Sequence, residues 1–169
     1  QKEYGLPRYD AKILTQSRHM ADIFEETARL CGQPKKASNW LMGETMRILK
    51  EKSMDPEEIS FTPAHLADLI LALERKEINQ QGAKQVFEQI MEKDVDPLAY
   101  MKEKGLLMVS DDGAIEAAVE EAMAENQKTV EEYRSGKEKV LGFLVGQVMK
   151  KMKGKADPAK VNALLREKL

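Results

Sequence analysis

Gly136-Lys137-Glu138-Lys139-Val140-Leu141-Gly142-Phe143-Leu144-Val145-Gly146-Gln147-Val148-Met149-Lys150-Lys151-Met152-Lys153-Gly154-Lys155 is the stretch on which the reading of this chain turns. Wound at about 100° per residue, it separates into two unlike faces. Val140, Leu141, Leu144, Val145, Val148 and Met152 form a broad apolar face, as expected of a helix leaning on a core. On the other side Lys139, Gly142, Gly146, Lys150 and Lys153 fall within an arc of about 80°. A glycine inside a helix costs roughly 1 kcal/mol against alanine, so two of them one turn apart imply the close approach of another backbone. Two readings meet that requirement: the phosphate backbone of a nucleic acid held between lysines, or a second helix packed through the GxxxG spacing. A basic amphipathic helix can also lie on a membrane surface, but that would need the apolar face free rather than buried in a fold.

Charge is distributed unevenly around this helix. The chain of 169 residues carries a formal net charge of only −2. From Arg134 to Leu169, ten Lys or Arg stand against Glu138, Asp157 and Glu167, a net +7. From Leu107 to Tyr133, eight acids stand against Lys128 alone, a net −7. Such local asymmetry describes a directional electrostatic surface.

Composition sets outer bounds. With 42% hydrophobic and 33% charged residues, the chain is a globular protein of one domain or two small ones. The single Cys31 excludes an internal disulfide and fits a reducing compartment. No apolar run approaches the roughly 20 residues of a membrane span. The start, Gln1-Lys2-Glu3-Tyr4, carries neither an initiator Met nor a signal-peptide pattern, and a piece of a longer chain is expected.

Apolar spacing is helical almost throughout, so the expected fold class is all-α, in two small helical domains. A cap followed by proline at the first helical position recurs at Gln33-Pro34, Asp55-Pro56, Thr62-Pro63, Asp96-Pro97 and Asp157-Pro158; proline there loses no needed hydrogen bond. Residues 1–14 read as an extended linker anchored by Ile13 and Leu14. Helices are expected over about 15–31, 34–52, 63–75, 81–92 and 97–104, completing a domain over 15–107. The second domain, 108–169, should hold helices near 111–124, 127–135, 137–153 and 158–168, with Ser110 as the first cap and Gly136 and Gly154 as stops.

Catalytic signatures are sparse. Two histidines, His19 and His65, on separate helices and one cysteine would all have to converge to build a metal site from those types, so none is expected. No strand-turn-helix elbow presents a nucleophile, and no phosphate-binding glycine loop is present. The acidic pairs Glu25/Glu26, Glu120/Glu121 and Glu131/Glu132 read as solvated helix faces, and Trp40 as core. Aromatic residues make up 5% of the chain, which argues against base stacking on exposed rings.

The tail, with Gly142-Phe143-Leu144-Val145-Gly146-Gln147-Val148-Met149-Lys150, Lys153-Gly154-Lys155-Ala156-Asp157-Pro158, Val161-Asn162 and Leu164-Leu165, resembles the C-terminal end of the B subunits of glutamyl/aspartyl-tRNA amidotransferases. Leu6-Pro7, Tyr9-Asp10-Ala11, Leu14-Thr15, Ala37-Ser38-Asn39-Trp40-Leu41-Met42-Gly43-Glu44 and Ser110-Asp111 carry the same resemblance, which extends over essentially the whole chain. It implies a helical domain and a YqeY-like tail domain that follow an upstream catalytic cradle. That cradle uses ATP and magnesium to phosphorylate the glutamyl or aspartyl group misacylated on transfer RNA. Ammonia from glutamine, released by the amidase (the A subunit), then completes Gln-tRNA or Asn-tRNA, while the small C subunit ties the complex together. The parent enzyme would be a cytoplasmic carbon–nitrogen ligase. The present segment would be non-catalytic, without metal or cofactor, and its tail would grip the outer corner of transfer RNA.

On that reading Lys139, Lys150, Lys153 and Lys155 neutralise phosphates and Gly142 and Gly146 permit contact. Gln147, beside them, reaches a ribose or base edge. Lys137 and Lys151 fall off the stripe, and Asn162 serves either the RNA or an internal hydrogen bond. Duplex RNA is recognised largely through shape, phosphates and 2′-hydroxyls, which lysines and small residues can supply. The competing class is a non-catalytic protein-interaction module in which the acidic and basic segments pair with each other or with a partner.

Overall fold

A computed structural model describes residues 4–109 and 111–169, and every regular element among them is helical. The chain divides into two compact units, residues 1–106 and 107–169, each with its own apolar core.

The first unit contains α1 (Arg8–Leu14), α2 (Arg18–Cys31), α3 (Pro34–Trp40), α4 (Met46–Lys52), α5 (Pro63–Glu74), α6 (Gln80–Lys93) and α7 (Pro97–Glu103). Helix α5 lies at its centre. Leu66, Ala67, Leu69, Ile70 and Ala72 are buried on several sides of it, which is why its sequence is apolar over more than one stripe. Phe87 of α6 is fully buried, 5.2 Å from the ring of Trp40 and 5.8 Å from that of Phe61. Trp40 therefore belongs to the core.

The five cap-proline pairs named above occupy the cap and first helical positions, while Pro7 is itself the cap of α1. Asp96 and Asp157 also accept hydrogen bonds from the backbone N–H groups of Ala99 and Ala159. Elsewhere the boundaries differ from the spacing. Helix α2 starts three residues after Thr15, because the Ser17 hydroxyl accepts from Met20 N–H and caps it. The helix expected over 34–52 is continuous but passes through one π turn, Leu41–Thr45, between α3 and α4. There the buried Thr45 hydroxyl donates to the carbonyl of Trp40, five residues back, a spacing that fits the wider turn.

Residues 8–14, expected to be extended, form α1 instead. Burial of Leu6 and Leu14 is the reason: seven residues are too few for a helix to persist on propensity, and core packing supplies the difference. Two histidines have local structural partners. His19 Nε2 lies 2.6 Å from the Ile59 carbonyl. His65 Nδ1 lies 2.8 Å from Asp94 Oδ1, and Asp94 also accepts from the backbone N–H and hydroxyl of Thr62. The end of α6 is thereby tied to the start of α5. Partial burial pushes the Asp94 carboxyl upward, but the bonds from Thr62 and His65 outweigh it and hold Asp94 below the ordinary carboxylate value.

The second unit contains α8 (Asp112–Glu125), α9 (Gln127–Arg134), α10 (Leu141–Lys151) and α11 (Pro158–Lys168). Its core joins Ile115, Val119 and Ala122 of α8 to Leu144 and Val148 of α10 and Val161 and Leu165 of α11. Asp111 caps α8 by accepting from Gly113 N–H; the expected cap, Ser110, lies outside the described residues. The helix expected over 137–153 is shorter than its pattern. A 3₁₀ turn, Glu138–Val140, precedes α10. At the other end Lys153 and Gly154 take φ of 52° and 70°, and Gly154 N–H donates back to the Met149 carbonyl at 2.8 Å. Such left-handed closure ends a helix by satisfying its last carbonyls.

Candidate nucleic-acid interface

Helix α10 turns Leu141, Leu144 and Val148 into the core of its unit. That leaves Gly142, Gly146 and Lys150 on the outside, all exposed. A β-carbon at either glycine would meet no neighbouring atom within 4 Å. Among the described residues, then, no helix packs on these glycines, and the GxxxG reading as an internal contact does not hold.

The surrounding charges sort by face. Lys151, off the stripe, is held by Glu121 at 3.2 Å and Glu125 at 2.8 Å. Lys168 lies 2.7 Å from both Glu116 and Glu120, Lys160 lies 2.7 Å from Asp112, and Lys137 lies 3.3 Å from Glu132. Hydrogen bonds donated to these carboxylates, to Glu125 first for Lys151, hold the ammonium groups of Lys151, Lys160 and Lys168 above their ordinary value. Spacing explains the pattern. Asp112, Glu116 and Glu120 stand four residues apart on α8 and share one stripe, and Glu121 and Glu125 share the next. The acid-rich stretch is thus engaged by lysines of its own unit, which is the pairing of acidic and basic segments that the sequence left open. Exposed pairs of this kind contribute little stability. Their consequence is electrostatic, because they neutralise some lysines and not others.

Lys139, Lys150 and Lys153 are exposed and have no ion pair or hydrogen bond from their side chains among the described residues. Only Lys150 lies within α10. Lys139 belongs to the 3₁₀ turn, and Lys153 to the left-handed closure, so the ideal arc holds strictly for Gly142, Gly146 and Lys150. Gln147 is half-buried beside them. Lys155 lies past the helix, half-buried, with its carbonyl accepting from Val109 N–H at 2.7 Å. Asn162 accepts from Arg166 Nε at 3.0 Å, an internal bond within α11. Glu26, Glu120, Glu121 and Glu132 lie on solvated helix faces as expected, and there Glu120, Glu121 and Glu132 take part in the ion pairs above and Glu26 pairs with Arg29.

One residue of this surface escaped the residue-by-residue reading. Phe143 is 50% exposed although the composition argued against exposed rings. Its angular position, about 20° from Lys150 on the helical wheel, places it at the border of the basic face, and that arithmetic was available from the sequence.

No cluster of three or more His, Cys, Asp or Glu that could hold a metal occurs among the described residues. No described helix is long and apolar enough to cross a membrane.

Known proteins resemble this chain over nearly its full length. The GatB domain family matches residues 22–169. The chain is 53% identical over 168 residues to the B subunit of the aspartyl/glutamyl-tRNA(Asn/Gln) amidotransferase of Lachnoclostridium phytofermentans, with 99% of the chain and 35% of that protein covered. It is 52% identical over 171 residues to the protein of the same name from Caldicellulosiruptor bescii, covering 99% of the chain and 36% of that protein. The match to the Chlorobium chlorochromatii protein of that name is 50% over 167 residues, again 99% of the chain and 35% of the relative. The chain therefore spans only about a third of the length of these relatives. With an all-α fold and a family match across both units, this chain belongs to the GatB domain family.

Proposed function

We propose that this chain is the transfer-RNA-holding part of the B subunit of a tRNA-dependent amidotransferase. The parent enzyme converts Glu-tRNA(Gln) or Asp-tRNA(Asn) to Gln-tRNA(Gln) or Asn-tRNA(Asn), with glutamine as amide donor and with the amidase (A) and small (C) subunits as partners. ATP and magnesium serve the portion of the relatives that this chain does not match. The first unit acts as a strut and the second as the grip, and neither performs the chemical step. The observation that carries this reading is the division of the lysines. Lys150 on the open glycine face and Lys139 and Lys153 at its two ends have no charged partner among the described residues, while their neighbours Lys137, Lys151, Lys160 and Lys168 are paired. A phosphate ridge resting on Gly142 and Gly146 would meet positive charge on either side, with Gln147 and Lys155 at the margin.

Titration of the chain with transfer RNA over a range of salt concentrations tests it. Each phosphate contact contributes about 0.7–0.9 to the slope of log affinity against log salt, so K150Q should lower the slope by that amount. K153G should do the same without harming the fold, because Lys153 already sits at φ 52°, where glycine is unstrained. K151Q removes a lysine that is already neutralised and should leave the slope unchanged. Equal slopes for K150Q and K151Q would contradict the assignment of the face. Absence of salt-dependent affinity in the unmodified chain would leave the protein-interaction reading in its place.

A further inference from the structure

We infer that Phe143 stacks on an unpaired or terminal nucleobase of the RNA, so that this face grips a loop or helix end rather than a continuous duplex. The inference rests on the RNA-binding reading above and adds a second, non-ionic mode of contact to it. Helix α10 has ample apolar surface turned inward, and Leu141, Leu144 and Val148 are almost or wholly buried. Phe143 lies between two of them in sequence yet keeps half of its surface in water. Its ring emerges on the same side of the helix as Lys150, about two turns before it, and about 60° around the helix from Gly146, on a surface with no side chain rising from either glycine. A flat object could therefore reach the ring and the glycine backbone together.

Charge selects the occupant. An apolar protein partner would gain nothing from the unneutralised lysines spread along this surface, Lys139 before the ring and Lys150 and Lys153 about two to three turns beyond it, whereas an RNA strand presents successive phosphates to the lysines and a base π-face to the phenyl group. Bases within an A-form duplex are stacked on both faces and closed to a side chain. Aromatic readout of RNA therefore takes place at loops, bulges and ends. Gln147, half-buried next to this surface, lies about 40° from Phe143 on the wheel and is placed to hydrogen-bond the edge of a base so held.

Three variants of the full 169-residue chain separate stacking from the alternatives, each checked by far-UV circular dichroism for intact helix content. F143A should weaken transfer-RNA binding about 5- to 100-fold while leaving the salt slope as it is in the unmodified chain. F143L keeps apolar bulk without a π-face and should be nearly as weak as F143A. F143W should bind at least as well as the unmodified chain, and its new indole emission should be quenched on addition of transfer RNA. The native Trp40 is buried in the other unit and contributes a constant background. A long, fully paired RNA duplex, in which interior sites far outnumber the two ends, should bind F143A and the unmodified chain almost equally. Full affinity in F143L, or the same loss on duplex as on transfer RNA, would overturn the stacking role while leaving the lysine face intact. A flat salt response in the unmodified chain would instead remove the RNA reading itself.

Discussion

Leucine at both Gly142 and Gly146 is expected to make the second unit more stable and the chain a poorer RNA binder. Neither glycine has a neighbour within 4 Å of where its β-carbon would stand, and neither has a positive φ, so both positions accept a side chain without strain. Gly146 lies in the interior of α10 and Gly142 in its first turn, so most of the helix-propensity gain comes from Gly146, about 1 kcal/mol in total. For a unit of this size that raises Tm by about 4–8 °C. Two leucines would also lift any polynucleotide off the helix backbone and away from Lys150. A loss of about 10- to 100-fold in transfer-RNA affinity is expected, or 1.4–2.8 kcal/mol. Thermal melts and binding titrations on the same protein check both halves. A more stable variant with undiminished affinity would show that the glycines have no part in the contact.

The largest stability effect is expected at Leu144. Its side chain is fully buried among residues from α8, α10 and α11, where truncation to alanine costs about 2–5 kcal/mol through lost transfer energy and the cavity left behind. A unit of about 60 residues is only marginally stable, so L144A should bring the second unit close to its unfolding midpoint. Trp40 reports separately on the first unit, since it packs 5.2 Å from Phe87 there. Urea titration of L144A should therefore show an early loss of helical circular dichroism with no change in Trp40 emission, followed by the transition of the first unit. Parallel movement of the two signals would show that the cores do not unfold separately. Transfer-RNA affinity should fall with the early transition.

Much of this fold was legible because its punctuation is local. Five of the six Xaa-Pro pairs mark a helix start by proline at the first helical position, and Gly32, Gly136 and Gly154 all take positive φ at helix ends. What the spacing missed depends on contacts distant in sequence or on single hydrogen bonds. Helix α1 forms because Leu6 and Leu14 find a core, and the π turn at Leu41–Thr45 depends on the Thr45 hydroxyl. The helix expected over 137–153 exceeds α10 by six residues, because the periodicity continues through Lys139 and Lys153 while the α-helical backbone does not. At the candidate interface, counting charges gave +7 and −7 for the two segments but could not say which lysines the acids neutralise. That is decided by the packing of α8 against α10 and α11, which brings Glu121 to Lys151 and Glu116 to Lys168. Phe143 is the opposite case. Its place on the wheel is readable from the sequence, whereas the low aromatic content, an average over the chain, says nothing of where a single ring stands.

Lysine acetylation followed by mass spectrometry, with and without transfer RNA, tests the assignment of the face most directly because it reads every lysine at once. Lys139, Lys150 and Lys153 should lose reactivity when RNA is added, while Lys151, Lys160 and Lys168 should react alike in both samples. Protection confined to the second group, or spread evenly over the chain, would contradict the account.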